Sequence, residues 1–193
     1  MRNIAIFASG SGTNAENIIK YFSNQKSAKV ALVLSNKRQA MVLKRAEENN
    51  VRPVFFEHDD LYLTGKVLGD LLFYKIDFVV LAGFLWLVPE SIVEKYSGRM
   101  ISIHPALLPR YGGKGMYGSV VHKAVISNGE SESGITIHYV NKVYDDGDII
   151  FQAKCNVEPT DTPDTLASKV HDLEYLHFPR VIEELVSKLP DSD

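Results

Sequence analysis

A chain of 193 residues, 45% hydrophobic and 23% charged, has the balance of a globular protein that folds in water and can build one substantial core without a disulfide or metal staple. No apolar run approaches bilayer-crossing length, a formal charge of −3 gives no global attraction for nucleic acid, and the single cysteine, Cys155, excludes an intrachain disulfide. The expectation is a cytoplasmic protein, one domain over 1–193, monomer or homodimer, with neither membrane nor nucleic acid as partner.

Strand-like and helix-like runs alternate from the N-terminus: Ile4–Ala8 then Ala15–Phe22, Val30–Leu34 then Ala40–Glu48, Val54–Phe56 then Leu61–Phe73, Phe78–Ala82 then Pro89–Tyr96. This βαβα order predicts parallel strands joined by right-handed crossovers, helices on both faces, and ligands at the carboxyl ends of the strands. After a strand at Met100–His104 the rhythm changes to a Gly-rich loop, a helix at Ser119–Ser127, and strands at Ser133–Tyr139 and Asp148–Val157 joined by a turn at Asn141–Gly147, which reads as an antiparallel hairpin. Cys155 falls in that last strand and reads as a buried, inert thiol. The tail from Thr165 is helical by pattern, with Asp161 or Thr162 as N-cap and Pro163 in the first turn. Pro179 is expected to kink or divide it, and Pro190–Asp193 to fray. The fold class is α/β, a Rossmann-like, mostly parallel sheet ending in an antiparallel hairpin.

Gly10-Ser11-Gly12-Thr13-Asn14-Ala15 closes the first strand and opens the first helix, so backbone N–H groups and the helix N-terminus form an anion site. The spacing also satisfies G-x-G-x-x-A, but the acidic residue that a dinucleotide requires after the second strand is replaced by Ser35-Asn36-Lys37-Arg38. A phosphomonoester is favoured, with a plain structural turn as the alternative.

The segment from Ile101 through Ser102-Ile103-His104-Pro105 to Leu107-Leu108-Pro109 sets a histidine at the end of a β-branched run and stiffens the loop beyond it with two prolines. A histidine held there faces a cleft. Tyr144-Asp145-Asp146-Gly147-Asp148 supplies carboxylates on a turn, and any of the three is a candidate partner for proton transfer. A carboxylate beside His104 is expected to keep it protonated near neutral pH, since a free imidazole titrates at about 6.5. His58, His122, His138, His171 and His177 show no metal-ligand spacing and read as surface or packing residues, His138 having an approach to the cleft as its alternative.

Taken together, Ser9 through Asn14, Val79-Val80-Leu81-Ala82-Gly83-Phe84, the His-Pro-Ala-Leu-Leu-Pro run and Asp145-x-Gly147-x-Ile149-Ile150 resemble the folate-dependent formyltransferases, in order and at familiar spacing from Met1 to about Leu189. Within that family the likeness is to the branch acting on phosphoribosylglycinamide, also called glycinamide ribonucleotide. The resemblance implies transfer of a formyl group from 10-formyltetrahydrofolate to the amine of glycinamide ribonucleotide in purine biosynthesis, with no metal. It implies His104, Asp145 and Ser102 as catalytic, Gly12, Thr13, Asn14 and Glu174 on the ribonucleotide, and Leu85, Trp86, Leu87, Val88, Ser102, Val140 and Asp145 on the folate. The family carries asparagine two residues before the catalytic histidine, where this chain has Ser102, a shorter donor. Two rivals stand beside this reading: hydrolysis of the formylfolate, as in relatives of the same core with an added N-terminal domain, and, because of Ser102 alone, ligand binding without turnover. The length also leaves no room for the C-terminal RNA-binding domain of the tRNA-directed branch. The Gly-rich loop Tyr111–Gly118 reads as a flap that brings Lys114 near the phosphate.

Overall fold

The computed structural model describes residues 1–190; the last three residues of the expected frayed end lie outside the described residues. In chain order the elements are β1 (Arg2–Phe7), α1 (Thr13–Phe22), β2 (Ala28–Ser35), α2 (Met41–Glu48), β3 (Arg52–Phe55), α3 (His58–Tyr62) and α4 (Lys66–Phe73). There follow β4 (Phe78–Leu81), α5 (Glu90–Lys95), β5 (Met100–His104), α6 (Ser119–Ser127), β6 (Glu132–Tyr139), β7 (Ile149–Asn156) and α7 (Pro163–Ser187). The strands form one seven-stranded sheet in the order β3-β2-β1-β4-β5-β6-β7, parallel through β5 and antiparallel across β5/β6 and β6/β7.

Alternation along the strands builds two cores. Ile4, Ile6, Phe78, Val80, Ile101 and Ile103 point to the side packed by α1, α2, α6 and α7, while Ala5, Phe7, Val79, Leu81 and Met100 meet α3, α4 and α5 on the other. Both faces are covered, which is why the parallel strands read as unbroken apolar runs rather than alternating ones.

Three sequence expectations change here. The helix expected over Leu61–Phe73 is two helices: α3 starts with reciprocal hydrogen bonding between Glu57 and Asp60 and stops where Leu63 and Thr64 both donate to the Asp59 carbonyl, and Gly65 turns the chain at φ 70° before α4. Leu61, Val67 and Leu71 enter the same core from the two sides of the break, while Leu61, Leu68 and Leu72 stand at helical spacing in the sequence, so periodicity hides it. Conversely, α7 runs through Pro179 undivided. Proline withholds the N–H that would bond the Tyr175 carbonyl, and Asn17 Nδ2 on α1 donates to that oxygen instead, at 3.0 Å. The start of α7 is as expected, capped by the Thr162 hydroxyl accepting from Thr165 N–H with Pro163 in the first turn. Cys155 is half-buried on β7 at the sheet edge rather than buried, and partial burial pushes its thiol above the ordinary range.

Gly147 lies where β7 approaches the end of β6. A methyl group there would overlap the Tyr139 carbonyl, which pairs with this turn through the Tyr139 N–H bond to the Asp148 oxygen. Gly147→Ala is therefore expected to destabilise the protein by about 1–3 kcal/mol in urea unfolding, the typical range for overpacking against atoms that cannot yield.

Candidate active site

The strand order reverses between β1 and β4, and at the carboxyl ends of these strands and β5 lies a cavity of about 880 Å³. Its floor is pinned by Ser9, whose hydroxyl donates to Asn36 Oδ1 (2.8 Å) and accepts from Leu85 N–H (3.1 Å), tying the ends of β1, β2 and β4 together. Ser102 and His104 at the end of β5 line one side, with Asp145 from the β6–β7 loop; Gly12, Thr13 and Asn14 at the start of α1 and Glu174 of α7 line the other.

His104 is 3% exposed. Its Nε2–H donates to the Tyr111 carbonyl at 2.7 Å, and its Nδ1 lies 3.4 Å from Asp145 Oδ2. Asp145 is held in left-handed backbone at φ 53°, uncommon for a residue with a side chain, and its Oδ2 also accepts from Gly113 N–H at 2.9 Å. Thr136, directly opposite His104 on β6, fixes the loop leaving that histidine. Its hydroxyl donates to the Ala106 carbonyl (2.7 Å) and accepts from Leu108 N–H (3.0 Å) and Gln152 Nε2 (2.8 Å). The Leu108–Pro109 peptide is cis.

Electrostatics correct one expectation. Burial pushes the His104 imidazole below its ordinary pKa and outweighs Asp145, which pulls it up, so the resting side chain is neutral near pH 7 rather than protonated. Burial alone pushes the Asp145 carboxyl up, but His138, His104 and Gly113 N–H together bring it below its usual value, so it is ionised.

At the other end Gly12 takes φ 74° and its carbonyl receives Glu16 N–H, opening α1. A side chain there would overlap Val42. Glu174, 5% exposed, accepts on Oε2 from Asn14 Nδ2 and from His171 Nδ1, both at 2.8 Å. That bond to Glu174 raises the His171 pKa, while burial lowers that of His122, whose buried Nδ1 has no partner. Lys37 and Lys114 bring positive charge to the same cavity. Among the described residues no His, Cys, Asp or Glu cluster could hold a metal ion, and no helix is long and apolar enough to cross a membrane.

Of the expected site residues, His104, Asp145, Ser102, Gly12, Thr13, Asn14, Glu174, Leu85 and Trp86 share this one cavity. Leu87, Val88 and Val140 are not in its lining; Val88 and Val140 pack into the α5-side core, behind Phe84 and Trp86. His122 and His171, read from sequence as surface or packing, line it instead. The spacing of His171 to Glu174, one helical turn, was the available signal.

The residue pattern of the formyl transferase family matches residues 2–182. The chain belongs to that family. This formyltransferase is 31% identical to the phosphoribosylglycinamide formyltransferase of Bacillus subtilis, covering 96% of this chain and 95% of that one. It is 37% identical to the chloroplastic phosphoribosylglycinamide formyltransferase of Arabidopsis thaliana over 94% of its own length, and spans 64% of that relative. The crystal structure of phosphoribosylglycinamide formyltransferase from Bacillus halodurans superposes with a TM-score of 0.86 at 35% identity, covering 97% of this chain and 96% of that one.

The Glu174–His171 pair gives a direct check. In Glu174→Gln the His171 imidazole, followed by NMR, is expected to titrate at lower pH than in the wild type, because the carboxylate that stabilises its cation has gone.

Proposed function

We propose that this formyltransferase moves the formyl group of 10-formyltetrahydrofolate to the primary amine of glycinamide ribonucleotide, as a single domain in the cytoplasm serving purine biosynthesis and one-carbon metabolism. The observation that carries the reading is that one cavity holds both a buried His104–Asp145 pair and, at its far end, the α1 N-terminus with Asn14 and Glu174. The cavity also has the size of a small-molecule site.

In this reading the phosphate rests on Gly12, Thr13 and Asn14, where first-turn N–H groups lack intrahelical partners and the helix dipole favours an anion, with Lys114 and Lys37 in support. Glu174 receives ribose hydroxyls. The flat folate ring takes the slot of Phe84, Leu85, Trp86 and Tyr144, with Val88 and Val140 in the same core that Phe84 and Trp86 pack against.

Attack of the amine on the formyl carbon generates an oxyanion and a cationic nitrogen. Asp145, ionised, accepts the amine proton directly or through water. His104 returns a proton to the departing folate nitrogen and donates to the oxyanion once its Nε2–H leaves the Tyr111 carbonyl, a change that requires the 111–118 loop to shift. Because His104 and Asp145 are both deprotonated at neutral pH, kcat/KM is expected to fall as pH drops through a value below the ordinary imidazole range of about 6.5.

Ser102 favours a second reading, binding with little turnover, because a hydroxyl reaches less far than an amide. An assay with both substrates separates the cases: transfer requires both, hydrolysis proceeds with the folate alone, and a sensor binds without product. His104→Ala is expected to lower kcat by about 10²- to 10⁴-fold; transfer at the wild-type rate in that variant would remove His104 from the mechanism. Ser102→Asn is expected to raise kcat, by up to about a hundredfold, by supplying a longer oxyanion donor. Steady-state kinetics that show a fall or no change refute this role for the position.

A further inference from the structure

Asp145 has a second imidazole on its other side. His138, on β6 directly across from Ser102, is 3% exposed; its Nδ1–H donates to the Tyr139 carbonyl at 2.9 Å and its Nε2 lies 3.7 Å from Asp145 Oδ1. That Nε2 is buried and has no hydrogen-bond partner. The carboxylate thus stands between two histidines arranged alike: each commits its outer nitrogen as donor to a backbone carbonyl and turns its inner nitrogen to one oxygen of Asp145. With each outer nitrogen committed as a donor, an inner nitrogen without a proton of its own turns a lone pair to an anion. A single proton placed in the array converts one of these contacts into a charge-assisted hydrogen bond, which is strong in a buried site.

The titratable groups facing the array are His104 from β5, Asp145 from the β6–β7 loop and, in charge contact with His104, Glu174 from α7 and His122 from α6. The cross-strand neighbours of His138, Ser102 on β5 and Ile149 on β7, carry no charge.

We propose that His138 is a positioning residue that orients Asp145 and holds, between its Nε2 and Asp145 Oδ1, the proton that formyl transfer releases. The proposal rests on the formyl-transfer reading. The amine nitrogen bonds to the formyl carbon and loses one proton to Asp145, where His138 holds it. The bond from the formyl carbon to the folate nitrogen breaks, and that nitrogen gains one proton from the same array through His104. No proton is consumed overall, and no co-reactant is needed. His138 does not line the cavity and acts through Asp145.

His138→Gln separates holding a proton from holding a carboxylate, since the Gln amide can donate to Oδ1 but cannot take up and release a proton. The expected result is KM for both substrates within about twofold of wild type, kcat lower by about ten- to a hundredfold, and an altered acidic limb in the pH profile of kcat. Wild-type kcat with an unchanged profile in His138→Gln overturns the proposal, because a merely structural role is met by the amide. A second readout needs no variant at His138: in protein labelled with ¹⁵N-histidine, Nε2 of His138 should show a proton shared with Asp145 as pH is lowered across about 8 to 5, lost in Asp145→Asn. An Nε2 that stays a bare acceptor throughout overturns it as well. Absence of any transfer by the wild type would count against the formyl-transfer reading, while the nitrogen spectra would still decide the array.

Discussion

A buried hydroxyl holds the reaction centre together. Thr136 Oγ1 has one proton to give and two lone pairs, and all three find partners: the Ala106 carbonyl, the Leu108 amide and the Gln152 side chain. Those partners lie on the loop leaving His104 and on the edge strand β7, so one atom fastens the histidine's exit path to two strands of the sheet. A saturated polar group in a low-dielectric interior is rigid because each lost bond leaves an unpaired atom, at about 1–3 kcal/mol. His104 inherits that rigidity.

The same interior decides the charge of the site. Contact with a carboxylate argues for an imidazolium, and from sequence that was the natural expectation. Removal from water argues the other way and prevails, since His104 is as buried as the core around it. A neutral imidazole beside an ionised carboxylate is a pair ready to receive a proton, which is what an attacking amine must lose.

Much of this was legible in the residues. Alternating apolar runs specified the βα order, and the prolines after His104 marked a stiff loop. The motifs shared with formyltransferases brought His104, Asp145, Asn14 and Glu174 to one cavity before any geometry was known. What escaped has physical causes. Leu61, Leu68 and Leu72 fall at helical spacing across Gly65, so the break in α3–α4 leaves no mark on periodicity. Pro179 breaks a helix only if the freed carbonyl is abandoned, and its rescue by Asn17 is a tertiary event. Val88, in the loop before α5, and Val140, just past β6, turn into the α5-side core rather than the slot, a choice of face that composition does not encode. His122 looked inert because its buried Nδ1 has no partner, and His171, one turn from Glu174, because helical spacing alone does not show that the pair turns into the cavity.

The rescue of Tyr175 has a mechanical consequence. Asn14 and Asn17, one turn apart on α1, grip the neighbouring residues Glu174 and Tyr175 on α7. Two pins along one face forbid the pivoting that a single pin would permit, so the helices behave as one calliper. Its jaws, the proposed phosphate cradle at the tip of α1 and the carboxylate on α7, are set at a fixed gap before any ligand arrives.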